Sequence, residues 1–334
     1  MWALRLIERG LVPDALVRLG VRQLARQGLQ EHAAADKDAR IEELRDKPIA
    51  QHTEAANQQH YNLPPAFFEA FLGPWLKYSA CYWPDGVETL AGAEEAMLRL
   101  TAEGARLADG QMILDLGCGW GSLTLWAAEH YPHSRITAVS NAASQRDYIR
   151  RKAAERGLDN IDVITADAAS LELEVEFDRV VSVEMFEHMK NVGALLERIA
   201  AMMRPGGLLF VHHFSHRAYL YEFDHTDPDD WMAQHFFTGG TMPSHDLLTY
   251  FQDDLRVVEQ WRIRGTHYAR TLNTWLDRFD ANLDRIQPII NRVYSRDPQK
   301  WLAYWRLFFL SSAETFGLND GGEYGITHTL MAKP

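Results

Sequence analysis

The chain has 334 residues, 46% of them apolar and 24% charged, an ordinary globular composition with room for one large domain plus additions or for two small ones. Its formal charge of -12 disfavours general nucleic-acid binding, which needs a basic face to displace counterions. The only cysteines, Cys81 and Cys118, stand in no metal-binding spacing, so no metal centre is expected and a reducing, cytoplasmic setting is the default.

The opening stretch, MWALRLIERGLVPDALVRLGVRQLARQ, has apolar runs too short for a signal peptide or a membrane span. Leu16, Leu19 and Leu24 alternate there with Arg18, Arg22 and Arg26, which recur every four residues along one helical face. This reads as a docked accessory helix with a solvated basic edge; peripheral membrane contact through the same helix stays an alternative. Residues 1–50 read as two helices joined by the charged connector EHAAADKDARIEELRDK, a cap on a domain spanning 51–334. Asn62 is placed to cap a short helix starting at Pro64 and Pro65, with Phe67, Phe68 and Phe71 on its buried side. An aromatic, hydroxyl-rich loop over 78–83 leads to a helix from Thr89 that keeps Leu90, Ala93, Met97 and Leu100 on one face.

ILDLGCGWGSL, residues 113–123, organises the rest. A buried strand over 112–116 stops at glycines 117, 119 and 121 and runs into the helix SLTLWAAEHY. Three glycines in five residues let backbone N–H groups and a helix N-terminus approach a ligand closely. Asp115 can hold loop amides or an ammonium. The G-x-G-x-G spacing behind an acid suits S-adenosylmethionine better than NAD, whose loop is G-x-G-x-x-G. Strands follow at 135–140, 161–166, 177–184 and 208–214, separated by helices over 144–157 and 191–207. That alternation predicts an α/β fold with a doubly wound, mostly parallel sheet and ligands at the strands' carboxyl ends.

From Ser215 to about Phe316 the rhythm breaks into an aromatic segment that reads as an insertion, the substrate lid. It includes a helix near 299–316 whose Trp301, Tyr304, Trp305, Phe308 and Phe309 read as core more than as a ligand box. ITHTLMA, at 326–332, alternates like a further strand. The strand over 177–184 ends in VEMFEHMK, which brings Glu184, Glu187 and His188 beside the expected ligand. Two carboxylates and an imidazole there can orient an amine, accept its proton and stabilise positive charge; solvated loop residues are the bland alternative. Either His212 or His213 must face inward, as a satisfied core histidine or at the ligand edge.

Together GLVPDALVR, HYNLP, LKYSACYW, LDLGCGWGSL, VEMFEHMKN, LFVHHF, FFTGGTMPS, HYARTL and AYWR resemble the family of cyclopropane fatty acid synthases and plant coclaurine-type N-methyltransferases. VEMFEHMKN, FFTGGTMPS and the amino-terminal stretch are closer to the second branch. The resemblance implies a class I, Rossmann-like methyltransferase fold that uses S-adenosylmethionine and releases S-adenosylhomocysteine. It places Tyr78 and Ser79 at the cofactor's methionine part, Gly117 and Gly119 along it, Asn141 and Gln145 at its ribose, and Asp167 and Ala168 at its adenine. It gives the catalytic role to Glu184, Glu187 and His188, and puts Tyr82, His212, Phe214 and Tyr268 on the substrate side. The implied partner is a small-molecule amine; homodimer formation is left open. In the synthase alternative a bicarbonate is held near Glu187, His212 and Tyr268, but Ala80 with Cys81, and Ser312, depart from the synthase cysteine positions.

Overall fold

The computed structural model describes residues 2–51 and 63–334, so the expected Asn62 cap lies outside the described residues. The amino-terminal part holds α1 (Trp2–Glu8), α2 (Asp14–Ala33) and α3 (Lys37–Arg45), followed by α4 (Pro65–Glu69) and α5 (Leu90–Gly104). Where the sequence suggests a plain connector, α3 forms because Asp36 caps it, accepting from the amides of Asp38 and Ala39. Then come β1 (Met112–Leu116), α6 (Ser122–His130), β2 (Arg135–Ser140), α7 (Ala143–Arg156), β3 (Ile161–Thr165), β4 (Phe177–Val183), α8 (Val192–Ala201) and β5 (Met203–His216). β5 starts five residues before the expected 208, at the positions read as a helix end. Backbone bonds between Gly206 and Gly207 and the chain's own Lys333 hold that segment extended.

The aromatic segment contains β6 (Tyr221–Glu222), α9 (Trp231–His235), β7 (Thr241–Met242), β8 (Arg256–Arg264), α10 (Gly265–Ala281), α11 (Leu283–Val293) and α12 (Pro298–Gly321), and β9 (Tyr324–Ala332) closes the fold. Not all of it is insertion. β8 pairs antiparallel with β9 and completes a seven-stranded sheet ordered β3-β2-β1-β4-β5-β9-β8. The strands β1 to β5 are parallel, and the order reverses direction at β1, which opens a crevice at its carboxyl end.

The sheet's two faces follow the two-residue period of its strands. Leu114, Val180, Leu209, Val211 and Met331 pack with α8 and α3 on one side. Ile113, Val181, Phe210 and Leu330 pack with α5 and α6 on the other. Beyond the strands' carboxyl ends a separate aromatic core joins α4 and the residues just after it to α10 and α12 through Phe67, Phe71, Trp275, Phe279, Trp305 and Phe309. Tyr304, Trp305 and Phe309 are fully buried there, so most of that helical stripe is core. Each such side chain contributes roughly 1.5–3 kcal/mol by burial.

α2 docks on this core through Val17 and through Arg18 and Arg22, which both pair with Glu314 of α12; Arg18 also donates to Asn273 at 2.7 Å. Two of the three arginines read as a solvated edge are therefore tied inward. Among the described residues, no helix is long and apolar enough to cross a membrane.

Candidate active site

β1 ends at Leu116, and Gly117, Gly119 and Gly121 all take positive φ, at 84°, 52° and 81°. A Cβ on Gly121 would lie 2.5 Å from Ile149, so only glycine lets α6 pack on α7. A Cβ on Gly119 would meet nothing within 4 Å. That open space belongs to a cavity lined by Gly117, Gly119, Asn141, Gln145, Asp167 and Ala168, all six expected there. The Ser140 hydroxyl donates to Oε1 of Gln145 at 2.5 Å, leaving the Gln145 Nε2 buried without a partner. A glycine cradle with an orphaned donor at its wall fits a ligand bearing hydroxyl acceptors, as the ribose of S-adenosylmethionine does. Met185, Thr238 and Gly239 also line this cavity.

Three further residues expected at the cofactor do not line this cavity. Asp115 does not line the cavity; it accepts from the Thr124 hydroxyl at 2.6 Å, and burial pushes its carboxyl up to about 6. Ser79 accepts from the fully buried Lys77 ammonium at 2.5 Å, and Lys77 also donates to the Ala80 carbonyl at 2.7 Å. Tyr78 lines a second, larger cavity and stacks on Trp275, ring centroids 5.6 Å apart.

That second cavity, of about 760 Å³, lies between the cap and the aromatic segment. Its wall is mainly apolar, with Phe214, Trp231, Phe237 and Phe316 facing Val17 and Leu24 of α2, a size and lining suited to a drug-sized organic molecule. Tyr268 lines it as expected, whereas Tyr82 lies outside both cavities against the His267 ring. Ser312, the position of one departure from the synthases, is on its wall.

Glu184 and His188 line both cavities and stand where they meet. Glu184 takes a left-handed backbone, φ 48°, that ends β4 and leads into a 3-10 turn over Phe186–His188. Its Oε1 accepts from the Ala80 amide at 2.8 Å and faces Nε2 of His212 at 3.3 Å; its Oε2 accepts from the Tyr268 hydroxyl at 2.9 Å. Burial raises this carboxyl, against the pull of the Lys77 charge, the Ala80 amide and the Tyr268 hydroxyl. His212 is itself fully buried, and burial drives it well below the usual imidazole range, so its contact with Glu184 is a hydrogen bond of a neutral ring. It stands behind Glu184 rather than in either cavity.

The His188 ring lies 4.7 Å from that of Phe237. Glu187 reaches neither cavity: fully buried, it accepts from the Phe214 amide at 2.7 Å through Oε1 and leaves Oε2 without a partner. Burial first, and then the neighbouring Glu184 charge, push its carboxyl well above the usual range. Two acids three residues apart thus meet different fates, one facing the ligand space and one locked beneath it.

The model of the mycolic acid cyclopropane synthetase family matches residues 49–319. The (S)-coclaurine N-methyltransferase of Thalictrum flavum subsp. glaucum is 40% identical over 343 residues, covering 99% of this chain and 95% of its own. The cyclopropane-fatty-acyl-phospholipid synthase of Escherichia coli K12 is 30% identical over 226 residues, which is 67% of this chain and 56% of its own. A crystal structure of coclaurine N-methyltransferase bound to N-methylheliamine and SAH is 38% identical, with a TM-score of 0.94 over 99% of both chains. With the glycine cradle, the acid at the cavity junction and these matches in hand, the chain belongs to the mycolic acid cyclopropane synthetase family, alongside the coclaurine N-methyltransferases.

Proposed function

We propose that this protein moves a methyl group from S-adenosylmethionine to the nitrogen of a small, aromatic-bearing amine. It is an S-adenosylmethionine-dependent methyltransferase, and the relatives that match it end to end are N-methyltransferases. The observation that carries the amine reading is the placing of Glu184 and His188 at the meeting point of the glycine-lined cavity and an apolar, aromatic one. S-adenosylmethionine supplies an electrophilic methyl on a sulfonium.

The chain's own residues supply position, charge and a dry site. Gly117 and Gly119 cradle the cofactor, Asn141 and Gln145 take its ribose, and Asp167 and Ala168 border its adenine. Phe214, Trp231 and Phe237 enclose the apolar body of the amine and exclude water, the task that dominates an in-line displacement. Glu184, anchored by Ala80 and Tyr268, holds the amine nitrogen and balances its positive charge. His188 takes the proton that frees the nitrogen lone pair. Glu187 acts from behind, tying the turn that carries His188 to β5 through the Phe214 amide.

The test is incubation with cofactor carrying a fully deuterated methyl group, with an amine panel and unsaturated phospholipid vesicles offered together. An amine product retaining all three deuteriums is expected. A lipid product retaining two would mean ring closure on an acyl chain and would overturn the reading.

A further inference from the structure

His328, fully buried in β9, lies opposite His212 of β5 in the antiparallel ladder. Its Nε2 is 3.0 Å from Nδ1 of His212, whose Nε2 in turn faces Glu184 Oε1 at 3.3 Å. The Phe210 and Trp261 rings, with centroids 4.9 and 5.3 Å away, pack the His328 imidazole in place. Burial holds both imidazoles well below the usual range, so each is neutral and carries one N–H.

The proton positions then follow in sequence. Glu184 already accepts from the Ala80 amide and the Tyr268 hydroxyl, and as the ionised carboxylate of the proposed reaction it only accepts, so the His212 proton sits on Nε2. Its Nδ1 is left bare and needs a donor, which puts the His328 proton on Nε2. His328 Nδ1 becomes a lone pair, and it is the atom of that ring that is buried without a partner. A bare acceptor is the milder kind of orphan; a buried, unpaired N–H is rarer.

We propose that His328 is a positioning residue for methyl transfer: it sets the His212 tautomer that donates to Glu184. The inference rests on Glu184 being the group that receives the amine. Other groups also face Glu184: Lys77 and the Ala80 amide from the preceding loop, His213 from β5, Tyr268 from α10, and Glu187 and His188 from the turn. Among the described residues, none of these hydrogen-bonds Nδ1 of His212; His328 does. A third donor favours the ionised carboxylate at a buried position.

Two variants of the full chain separate this from a packing role. His328→Met removes the donor at similar volume, and His328→Gln returns an N–H at the same reach. Nitrogen NMR of histidine-labelled protein reads the tautomer directly. Wild-type His212 is expected protonated on Nε2, and His328→Met is expected to shift it towards the Nδ1 form. In His328→Met, kcat/KM near neutrality should fall about ten-fold and the acid limb of its pH profile should move up by about one unit, the loss of one charge-assisted bond. His328→Gln should restore both, with SAH affinity by calorimetry unchanged throughout.

The proposal is overturned if wild-type His212 is protonated on Nδ1, if a folded His328→Met keeps the wild-type tautomer and profile, or if a folded His328→Gln restores neither. Should Glu184→Gln retain full transfer, it is the functional reading that fails. The NMR result then still decides the polarity of the His328–His212 bond.

Discussion

Replacing Glu184 by Gln removes a charge and little else. Oε1 of Glu184 faces two N–H donors, from Ala80 and His212, while Oε2 faces one hydroxyl, from Tyr268. The Gln carbonyl oxygen can stay on the two N–H groups, and its amide can turn to Tyr268, whose hydroxyl rotates to accept. The hydrogen-bond set survives. Losing the charge relieves the burial cost of this carboxyl but takes a counter-charge from the buried Lys77, which keeps Ser79, the Ala80 carbonyl and the Glu94 charge; the two effects oppose each other and hold the stability change to about 1 kcal/mol.

What disappears is the attraction between the carboxylate and the positive charge gathering on the amine nitrogen. At about 4 Å and an effective dielectric near 20 that attraction is about 4 kcal/mol. It corresponds to about a thousand-fold in kcat/KM, less whatever the remaining dipoles recover. The assay is the initial rate of deuteromethyl incorporation into the amine, with SAH affinity by calorimetry and the melting temperature as controls. Glu184→Gln should melt and bind SAH like the wild type while kcat/KM collapses. A normally folded variant with wild-type kcat/KM would refute the idea that this carboxylate receives the amine.

Gly119→Leu puts a side chain into open cavity at φ 52°, so it should cost about 1 kcal/mol of left-handed strain and lower SAH affinity at least about ten-fold, read by melting temperature and calorimetry. Burial works to raise the Glu314 carboxyl, but hydrogen bonds from Arg22 and Arg18 outweigh it and hold it below the usual range. Its contribution is therefore present above the ordinary value near 4.5 and is lost as pH falls through the depressed one. Glu314→Gln should cost about 1 kcal/mol and raise amide exchange over α2, with the difference from wild type shrinking in acid. His213 and His216 are pushed to about 4 by burial, from an ordinary 6.5. Between those values the unfolded chain binds more protons, so stability should climb as pH rises from about 4 to about 6.5. Denaturant midpoints across that window test this; a flat profile, or one unchanged by His213→Asn, would count against neutral buried rings.

The parallel strands were legible because each is a short apolar run set between helices, and the glycine loop because its spacing carries its own geometry. β8 was not. In RVVEQWRIR the two-residue alternation is broken by a register shift between Val257 and Glu259, and an edge strand keeps polar residues on its open side. The inward role of Arg18 and Arg22 was equally hidden, because their partner Glu314 lies 296 and 292 positions away in the chain. Within VEMFEHMK the local pattern brings Glu184, Glu187 and His188 together but cannot rank them. That ranking comes from β5, whose Phe214 amide captures Glu187 and takes it out of the ligand space. Tyr78 shows the same limit: its loop was identified, yet which cavity it faces depends on α10, where Trp275 stacks on it.

Among the described residues five that are not glycine hold positive φ, and two of them, Leu76 and Glu184, lie near this site. Leu76 and Glu184 hold φ of 50° and 48°, a left-handed conformation that costs a side-chain-bearing residue about 1 kcal/mol or more. They lie on the two sides of one hydrogen bond. Leu76 closes a turn on the Gly73 carbonyl ahead of the segment that carries Lys77 and the Ala80 amide, and Glu184 presents the oxygen that accepts from that amide. The Glu184 amide still bonds to the His212 carbonyl at 2.8 Å, so the ladder runs on while the side chain leaves the sheet face for the cavity junction. A glycine at 184 would relieve that strain and a straight strand would avoid it; neither would put a carboxylate between the two cavities. The left-handed backbone at Glu184 thus carries a local cost that the Ala80, Tyr268 and His212 contacts to its carboxylate hold in place.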